Sequence, residues 1–88
     1  MLEQAHNLDA PARLALLTPR ELEVLELIAN GHTNAEAART LDISVHAVKF
    51  HLAGIYRRLG VTNRTAAAVA YLQSMSANGG PRAGEPQA

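Results

Sequence analysis

Cysteine is absent from this chain of 88 residues. The absence excludes disulfides, thiolate metal sites and a cysteine nucleophile, and it fits a reducing cytoplasm. Aromatic residues make up only 3% of the sequence. No apolar run approaches membrane-spanning length, and the N-terminus lacks the basic start and apolar stretch of a signal peptide. We therefore expect a cytoplasmic protein with no membrane partner.

The sequence also lacks the alternating apolar and polar pattern of β-strands. Alanine and leucine dominate, and the β-branched residues are scattered, which predicts an all-α fold. A chain of this length forms one small domain with a modest core. Oligomerisation would help to stabilise such a domain.

Net charge is absent as well, because 8 basic and 8 acidic side chains cancel. Their placement is uneven. Residues 1–30 carry two basic and five acidic side chains, a net charge of −3. Residues 31–64 carry five basic and two acidic side chains, a net charge of +3. A local basic patch of this kind, and not the total charge, indicates contact with nucleic acid.

Two helix starts of the same kind lie in the first half of the chain. Thr18 and Thr33 are each followed three residues later by a glutamate, which is the pattern of a capping box. The first helix is expected to turn an apolar stripe inward and to end at residues 30–31. The stripe consists of Leu22, Leu25, Ile28 and Ala29. The second helix, residues 33–41, offers a small-residue face for close packing.

A helix-turn-helix is predicted where the second helix meets the third. Asp42 tolerates the left-handed conformation of a tight turn, and Ser44 can cap the helix that follows. Two helices joined in this way, the second presenting basic residues, form the motif.

The segment from Ser44 to Gly60 presents two different faces as a helix. Its apolar stripe comprises Val45, Val48, Leu52, Ile55 and Leu59. The other side carries His46, Phe50, Ala53 and Arg57, flanked by Lys49 and Tyr56, and the segment contains no carboxylate. Such a cationic face suits a DNA major groove, which admits a helix of this width. The interpretation requires Lys49, Phe50 and Arg57 to be open to solvent.

A fourth helix is predicted at residues 64–75, capped by Thr62 or Asn63. More of it is apolar than one small core requires, which indicates a second contact with another copy in a two-fold dimer. Residues 1–16 are interpreted as a linker or a short extra helix, residues 17–75 as the domain, and residues 76–88 as a disordered tail.

Signs of catalysis and of ligand binding are lacking. The sequence shows no catalytic triad, no paired catalytic carboxylates and no Gly-rich phosphate loop. His46 and His51 are five residues apart and point to different sides of the helix, so they do not have metal-ligand spacing. We expect no enzyme activity, no cofactor, no metal and no small-molecule ligand in this domain.

The chain from about Leu17 to Leu72 closely resembles the LuxR/FixJ-type (GerE-type) DNA-binding domain. The matching pieces are LTPRE, VLELIANG, TNAEAA, LDIS, and VKFHL with IYRRLGV and NRTAAA, in the family's order. The resemblance implies a four-helix domain of a bacterial transcription regulator. Its third helix enters the major groove of double-stranded DNA, and its fourth helix pairs two subunits. We therefore expect the cytoplasmic protein to be nucleoid-associated.

The resemblance also implies which residues form the two surfaces. Lys49 and Phe50 match positions that contact bases, and Ser44 and Arg57 lie near phosphates. The expected DNA-binding set is Thr33, Asn34, Ser44, His46, Ala47, Lys49, Phe50, His51, Ala53, Arg57 and Arg58. The expected dimerisation set is Ala66, Val69, Ala70, Leu72 and Gln73.

Three alanines depart from the family pattern. Ala35 stands where members often carry lysine, Ala47 stands where threonine is frequent, and Ala53 stands where some members carry a lysine that reads bases. Each removes a possible phosphate or base contact, which predicts weaker binding or a shorter recognition sequence, and a shallower dependence on salt. Two alternatives stay open at this point. One is the promoter-reading helix-turn-helix of a sigma factor. The other is an interaction module that no longer binds DNA and inhibits a related regulator by pairing through the helix at 64–75.

Overall fold

Five helices follow one another along residues 10–79, the part of the chain that the structure, a computed structural model, describes. They are α1 (Ala10–Leu14), α2 (Pro19–Ala29), α3 (Asn34–Leu41), α4 (Val45–Leu59) and α5 (Arg64–Gly79). The predicted all-α class is confirmed. Helices α2 to α5 are the four that the sequence predicted, and α1 is the short extra helix that was one interpretation of residues 1–16. The remaining interpretations of residues 1–9 and 80–88 lie outside the described residues.

Side-chain caps start four of the helices. At α2, the Thr18 hydroxyl accepts from the Glu21 amide at 3.1 Å and the Glu21 carboxylate accepts from the Thr18 amide at 3.0 Å. Thr33 and Glu36 form the same reciprocal pair at α3, where the hydrogen bond from the Thr33 amide lowers the pKa of Glu36. Ser44 caps α4, and Asn63 caps α5. These bonds satisfy amides that a helix start otherwise leaves unpaired.

Helices α2, α3 and α4 end with one shared backbone geometry. Near each end lies a residue at positive φ: Gly31 (95°), Asp42 (57°) and Gly60 (71°). The amide of the next residue then donates to a carbonyl five residues back, at 3.0–3.1 Å, from His32 to Leu27, from Ile43 to Ala38 and from Val61 to Tyr56. This is the hydrogen bond of a Schellman stop. Asp42 is the one non-glycine residue at positive φ among residues 10–79.

One core joins helices α2 to α5. Its buried apolar members are Val24, Leu25, Ile28, Ala37, Ala38, Val48, Leu52, Ile55, Leu59, Ala67 and Tyr71. Ala37 and Ala38 confirm the small-residue face of α3. Helix α1 packs on α5 and, with fewer contacts, on α4. In α4, the predicted apolar stripe is buried from Val48 to Leu59.

Two residues that were predicted to point inward do not. Leu22 is 38% exposed and Val45 is 39% exposed. On α2 the buried position belongs to Val24 instead, and Leu22 lies at an open groove beside α5. Val45 is the first residue of α4, where the helix begins before it is covered by its neighbours.

The last helix runs to Gly79, four residues beyond the predicted end at 75. The tail interpretation of residues 76–79 is thus wrong. Residues 76–78 contain no glycine or proline, so nothing in the backbone stops the helix before Gly79. No helix within residues 10–79 is both long and apolar enough to cross a membrane. The same residues contain no cluster of three or more metal-ligating side chains.

Candidate nucleic-acid interface

Helices α3 and α4 form a helix-turn-helix. The turn between them is residues 42–44, and it needs Asp42 in the left-handed conformation (φ 57°, ψ 47°). Its last residue, Ser44, accepts a hydrogen bond from the Ala47 amide at 2.9 Å and so starts α4 directly after the turn. A short turn with a fixed backbone fixes how α4 projects from the domain.

The outward side of α4 has the cationic, carboxylate-free surface that the sequence predicted. Phe50 is 72% exposed, the largest exposure of any large apolar side chain among the described residues. Lys49 and Arg57 are exposed beside it, as are His46 and Ala53. The condition that Lys49, Phe50 and Arg57 be open to solvent is therefore met.

Two further members of the predicted set lie at the margin of this face. Ala47 and His51 are half-buried. The rings of Phe50 and His51 meet edge to face, with centroids 5.8 Å apart and planes at 69°. This arrangement is a favourable aromatic geometry. It holds the exposed Phe50 ring against its neighbour on the helix.

Two members of the predicted DNA-binding set lie at the start of α3, and they differ in exposure and in hydrogen-bond partners. Thr33 is exposed, with its hydroxyl committed to the cap. Asn34 is half-buried, and its side-chain oxygen accepts from the Arg64 guanidinium at 2.8 Å. Asn34 is therefore held by a residue of α5.

Arg58 differs from Arg57, the other arginine of the predicted DNA-binding set, because its charge is paired within the protein. Its guanidinium lies 2.8 Å from a carboxylate oxygen of Glu21, whose side chain is only 7% exposed. The other oxygen of Glu21 accepts from the Thr18 amide. One carboxylate thus caps α2 and ties α2 to α4.

Gly54 leaves the space that the Glu21–Arg58 pair occupies. A Cβ at position 54 would lie 2.5 Å from the Glu21 carboxylate and 3.0 Å from the Arg58 guanidinium. Glycine costs about 1 kcal/mol relative to alanine inside a helix. Its place in the middle of α4 follows from this close approach. Sequence reasoning missed the site because its partners lie 37 residues apart.

Adjacent arginines on α4 are expected to behave differently when each is replaced by alanine. Arg57 is exposed and free to neutralise a phosphate, so Arg57→Ala should reduce the slope of log affinity against log salt by about 0.9. Arg58→Ala should leave that slope unchanged. It should instead lower the free energy of unfolding by about 1–3 kcal/mol, because Glu21 is left buried without its cation. Fluorescence anisotropy with labelled DNA measures the salt slope, and urea unfolding measures the free energy of unfolding. Equal salt slopes for Arg57→Ala and Arg58→Ala would contradict the assignment of Arg57 to a phosphate and of Arg58 to Glu21.

Some of the basic side chains of residues 31–64 are engaged within the protein. Of the five basic side chains in residues 31–64, Arg58 pairs with Glu21, and Arg64 bonds to Asn34 and to a backbone carbonyl. The other three, Arg39, Lys49 and Arg57, are exposed and belong to neither of the two ion pairs within residues 10–79, although the charge of Arg39 helps to lower the pKa of Glu36. The positive charge available to a ligand is smaller than the sequence count suggests.

A second surface lies along α5. Val69, Leu72 and Met75 are 44%, 51% and 52% exposed and follow one another at steps of three residues. Gln73 is exposed beside them, whereas Ala66 and Ala70 are half-buried and Ala70 packs on the core. Met75 was absent from the predicted dimerisation set, although its spacing from Leu72 gave the signal.

An open groove of about 370 Å³ continues the apolar side of α5 towards α1 and α2. The residues that line it are Leu14, Ala15, Leu22, Glu26, Tyr71, Ser74 and Met75. Within it the Tyr71 hydroxyl donates to the Glu26 carboxylate at 2.9 Å. Burial and then this bond raise the pKa of Tyr71. The bond ties α5 to α2 at the edge of the groove.

Comparison with known proteins adds the family to this geometry. The family described as "Bacterial regulatory proteins, luxR family" matches residues 15–71, which contain the whole helix-turn-helix. The chain is 48% identical over 65 residues to the probable transcriptional regulatory protein SgaR of Hyphomicrobium methylovorum (74% of this chain, 30% of that protein). It is 41% identical over 63 residues to the nitrate/nitrite response regulator protein NarP of Escherichia coli K12 (72% and 29%). It is 51% identical over 53 residues to the transcriptional regulatory protein LiaR of Bacillus subtilis 168 (60% and 25%).

The chain spans between 25% and 30% of the length of these three relatives. The match covers α2, α3 and α4 and ends within α5, at residue 71. The similarity expected from the sequence motifs is thereby confirmed. The chain belongs to the luxR family of bacterial regulatory proteins.

Proposed function

We propose that this chain is the DNA-binding part of a bacterial transcription regulator that inserts α4 into the major groove as a dimer. The observation that carries the proposal is Phe50, 72% exposed on a cationic helix face next to Lys49. Phe50 and Lys49 lie together on the exposed face of the second helix of a helix-turn-helix, which is the face that such a motif places in the major groove. Family membership and the regulators that the chain resembles support the same function, carried out in the cytoplasm and without enzyme activity.

We assign base reading to two exposed side chains of α4, Lys49 and Phe50. Lys49 can donate to O6 and N7 of guanine, and Phe50 can contact the methyl group of thymine. His46 and the small Ala53 lie on the same face and border these contacts. We expect a recognition sequence in which a G·C pair stands close to an A·T pair.

Backbone contacts are assigned to the ends of the helices and to arginine. Ser44 and Thr33 lie at the N-termini of α4 and α3, where amides and the helix dipole favour a phosphate. Arg57 supplies a cation from the exposed face of α4. Because Ala35 and Ala47 supply none, we expect few ionic contacts per subunit and a shallow salt slope.

Lys49→Ala is expected to weaken specific binding by about 1–3 kcal/mol, because the variant loses a donor to a base edge. Arg20→Ala is the matched control. Arg20 is exposed on α2, where it pairs with Glu23 at 3.2 Å, and its loss should leave affinity unchanged. Anisotropy titrations on one selected operator measure both variants. Equal affinities of wild type and Lys49→Ala would remove Lys49 from the interface.

Selection of binding sites from random duplex DNA tests the function as a whole. The purified chain should enrich a two-fold sequence and should bind it less tightly as salt rises. An inhibitor that pairs with a related regulator would enrich nothing and would show no salt-dependent binding. The family relatives, which are named as transcriptional regulators, favour the first outcome over this inhibitor and over a sigma factor.

A further inference from the structure

Arg64, the first residue of α5, reaches across to the start of α3. One guanidinium nitrogen lies 2.8 Å from the side-chain oxygen of Asn34, and the other donates to the backbone carbonyl of His32. A cation in the first turn of a helix faces the positive end of the helix dipole and is unfavourable there. The position of Arg64 is therefore explained by its bonds to the start of α3 and not by the stability of α5.

The bond to Arg64 fixes the orientation of the Asn34 amide. A side-chain amide carries an oxygen that accepts and an NH₂ group that donates. A guanidinium only donates, so the oxygen must face Arg64. What Asn34 has left for a ligand is its NH₂ group, at the N-terminus of a helix in the helix-turn-helix.

We infer that Arg64 is a positioning residue for DNA binding, which holds Asn34 so that its NH₂ group donates to a DNA phosphate. The inference rests on the proposed function and deepens it. Position 35, next to Asn34, is alanine, so α3 supplies no cation of its own to this contact, and the nearest cation, Arg64, directs its guanidinium to Asn34 and to the His32 carbonyl. The direct phosphate contact of α3 is accordingly a neutral one, because the Arg64 guanidinium bonds to Asn34 and to the His32 carbonyl and not to the DNA.

A neutral contact can be distinguished from an ionic one by its response to salt. Affinity depends on salt because cationic side chains displace counterions from phosphates, and an amide displaces none. Asn34→Ala and Arg64→Met should each reduce affinity about two- to tenfold with no change in the salt slope. If Arg64 itself touched a phosphate, Arg64→Met would reduce the slope by about 0.9, and the inference would be wrong.

The two residues should also act as one unit. Because Arg64 works through Asn34, the double variant should lose no more affinity than the weaker-binding single variant. Losses that multiply would show two independent contacts and would overturn the inference. Sedimentation and thermal melts of each variant establish that a folded dimer is being compared.

Asn34→Asp gives a test that does not depend on the folding of Arg64→Met. Aspartate keeps an oxygen for Arg64 and suits the first turn of a helix, so the fold should be as stable as wild type. It presents no donor and places a negative charge at the phosphate, so affinity should fall about tenfold or more. Thr40→Asp, exposed near the other end of α3, controls for the added charge.

The failures of the two proposals are separable. A wild-type chain that enriches no DNA would refute the proposed function. A wild-type chain that binds DNA and is weakened by Lys49→Ala, while Asn34→Asp binds as tightly as Thr40→Asp, would refute only the role of Arg64 and Asn34.

Discussion

Val69→Glu is expected to yield monomers in place of the proposed dimer and to reduce affinity for a two-fold operator by about 10²–10⁴-fold. Val69 is 44% exposed in line with Leu72 and Met75, an apolar strip on α5 that we propose is covered by the same helix of a second copy. Glutamate places a charge within that apolar strip, none of whose three side chains carries a cation to pair with it. Leu72→Glu should act in the same way, because Leu72 is 51% exposed.

Sedimentation velocity measures the first effect, and anisotropy on full and half operators measures the second. The variant should bind a half operator as the wild type does, because α4 is unaltered. Thr40→Glu adds the same charge at an exposed position of α3 and should remain a dimer. Intact dimers of both Val69→Glu and Leu72→Glu would place the subunit contact elsewhere.

Ile55→Ala is expected to lower the free energy of unfolding by about 2–5 kcal/mol, which is the usual cost of cutting a buried isoleucine to alanine. Ile55 is fully buried in α4, among the core residues contributed by α2, α3 and α5. In a domain of this size each kcal/mol lowers the midpoint of thermal unfolding by about 4–8 °C. Urea unfolding should show a lower midpoint with an unchanged slope.

Val45→Ala provides the control in the same helix. Val45 is also β-branched, but it is 39% exposed, and its loss should change stability by about 0.5 kcal/mol or less. A cost equal to that of Ile55→Ala would show that the N-terminal turn of α4 is covered by protein. That result would also remove the start of α4 from the surface available to DNA.

The starts and stops of the helices could be predicted because their causes are local. Thr18 and Glu21 are three residues apart and cap each other, so the pattern is visible in the sequence alone. Asp42 could be expected at a left-handed position because few residue types tolerate one. The exposed side of α4 followed from helical periodicity in the same way, and Phe50 was placed correctly.

The partners of charged side chains could not be predicted, because they are distant in sequence. Glu21 was recognised as a cap, but its burial depends on Arg58, which is 37 residues away. Arg64 was counted with the basic patch, and its bond to Asn34 spans 30 residues. Both arginines look identical in sequence to Arg57, which is exposed. Only the packing of α2, α3 and α5 around α4 separates them.

The limits of periodicity explain the remaining errors. A stripe of residues gives the direction of burial along a helix but not where the neighbouring helices stop. Val45 belongs to the stripe of α4 and yet lies beyond its neighbours, and Leu22 borders a groove that α1 and α5 leave open. Met75 was assigned to the end of a helix that in fact continues to Gly79.

The shared Schellman geometry at the ends of α2, α3 and α4 affects how quickly the chain folds. Each stop is closed by a hydrogen bond that spans five residues, so every one of them can form before distant segments meet. Little loop-closure entropy is spent on them. Helical domains built from such short-range contacts reach the native state in about microseconds to milliseconds. A newly synthesised chain would thus expose its apolar core residues to water only briefly.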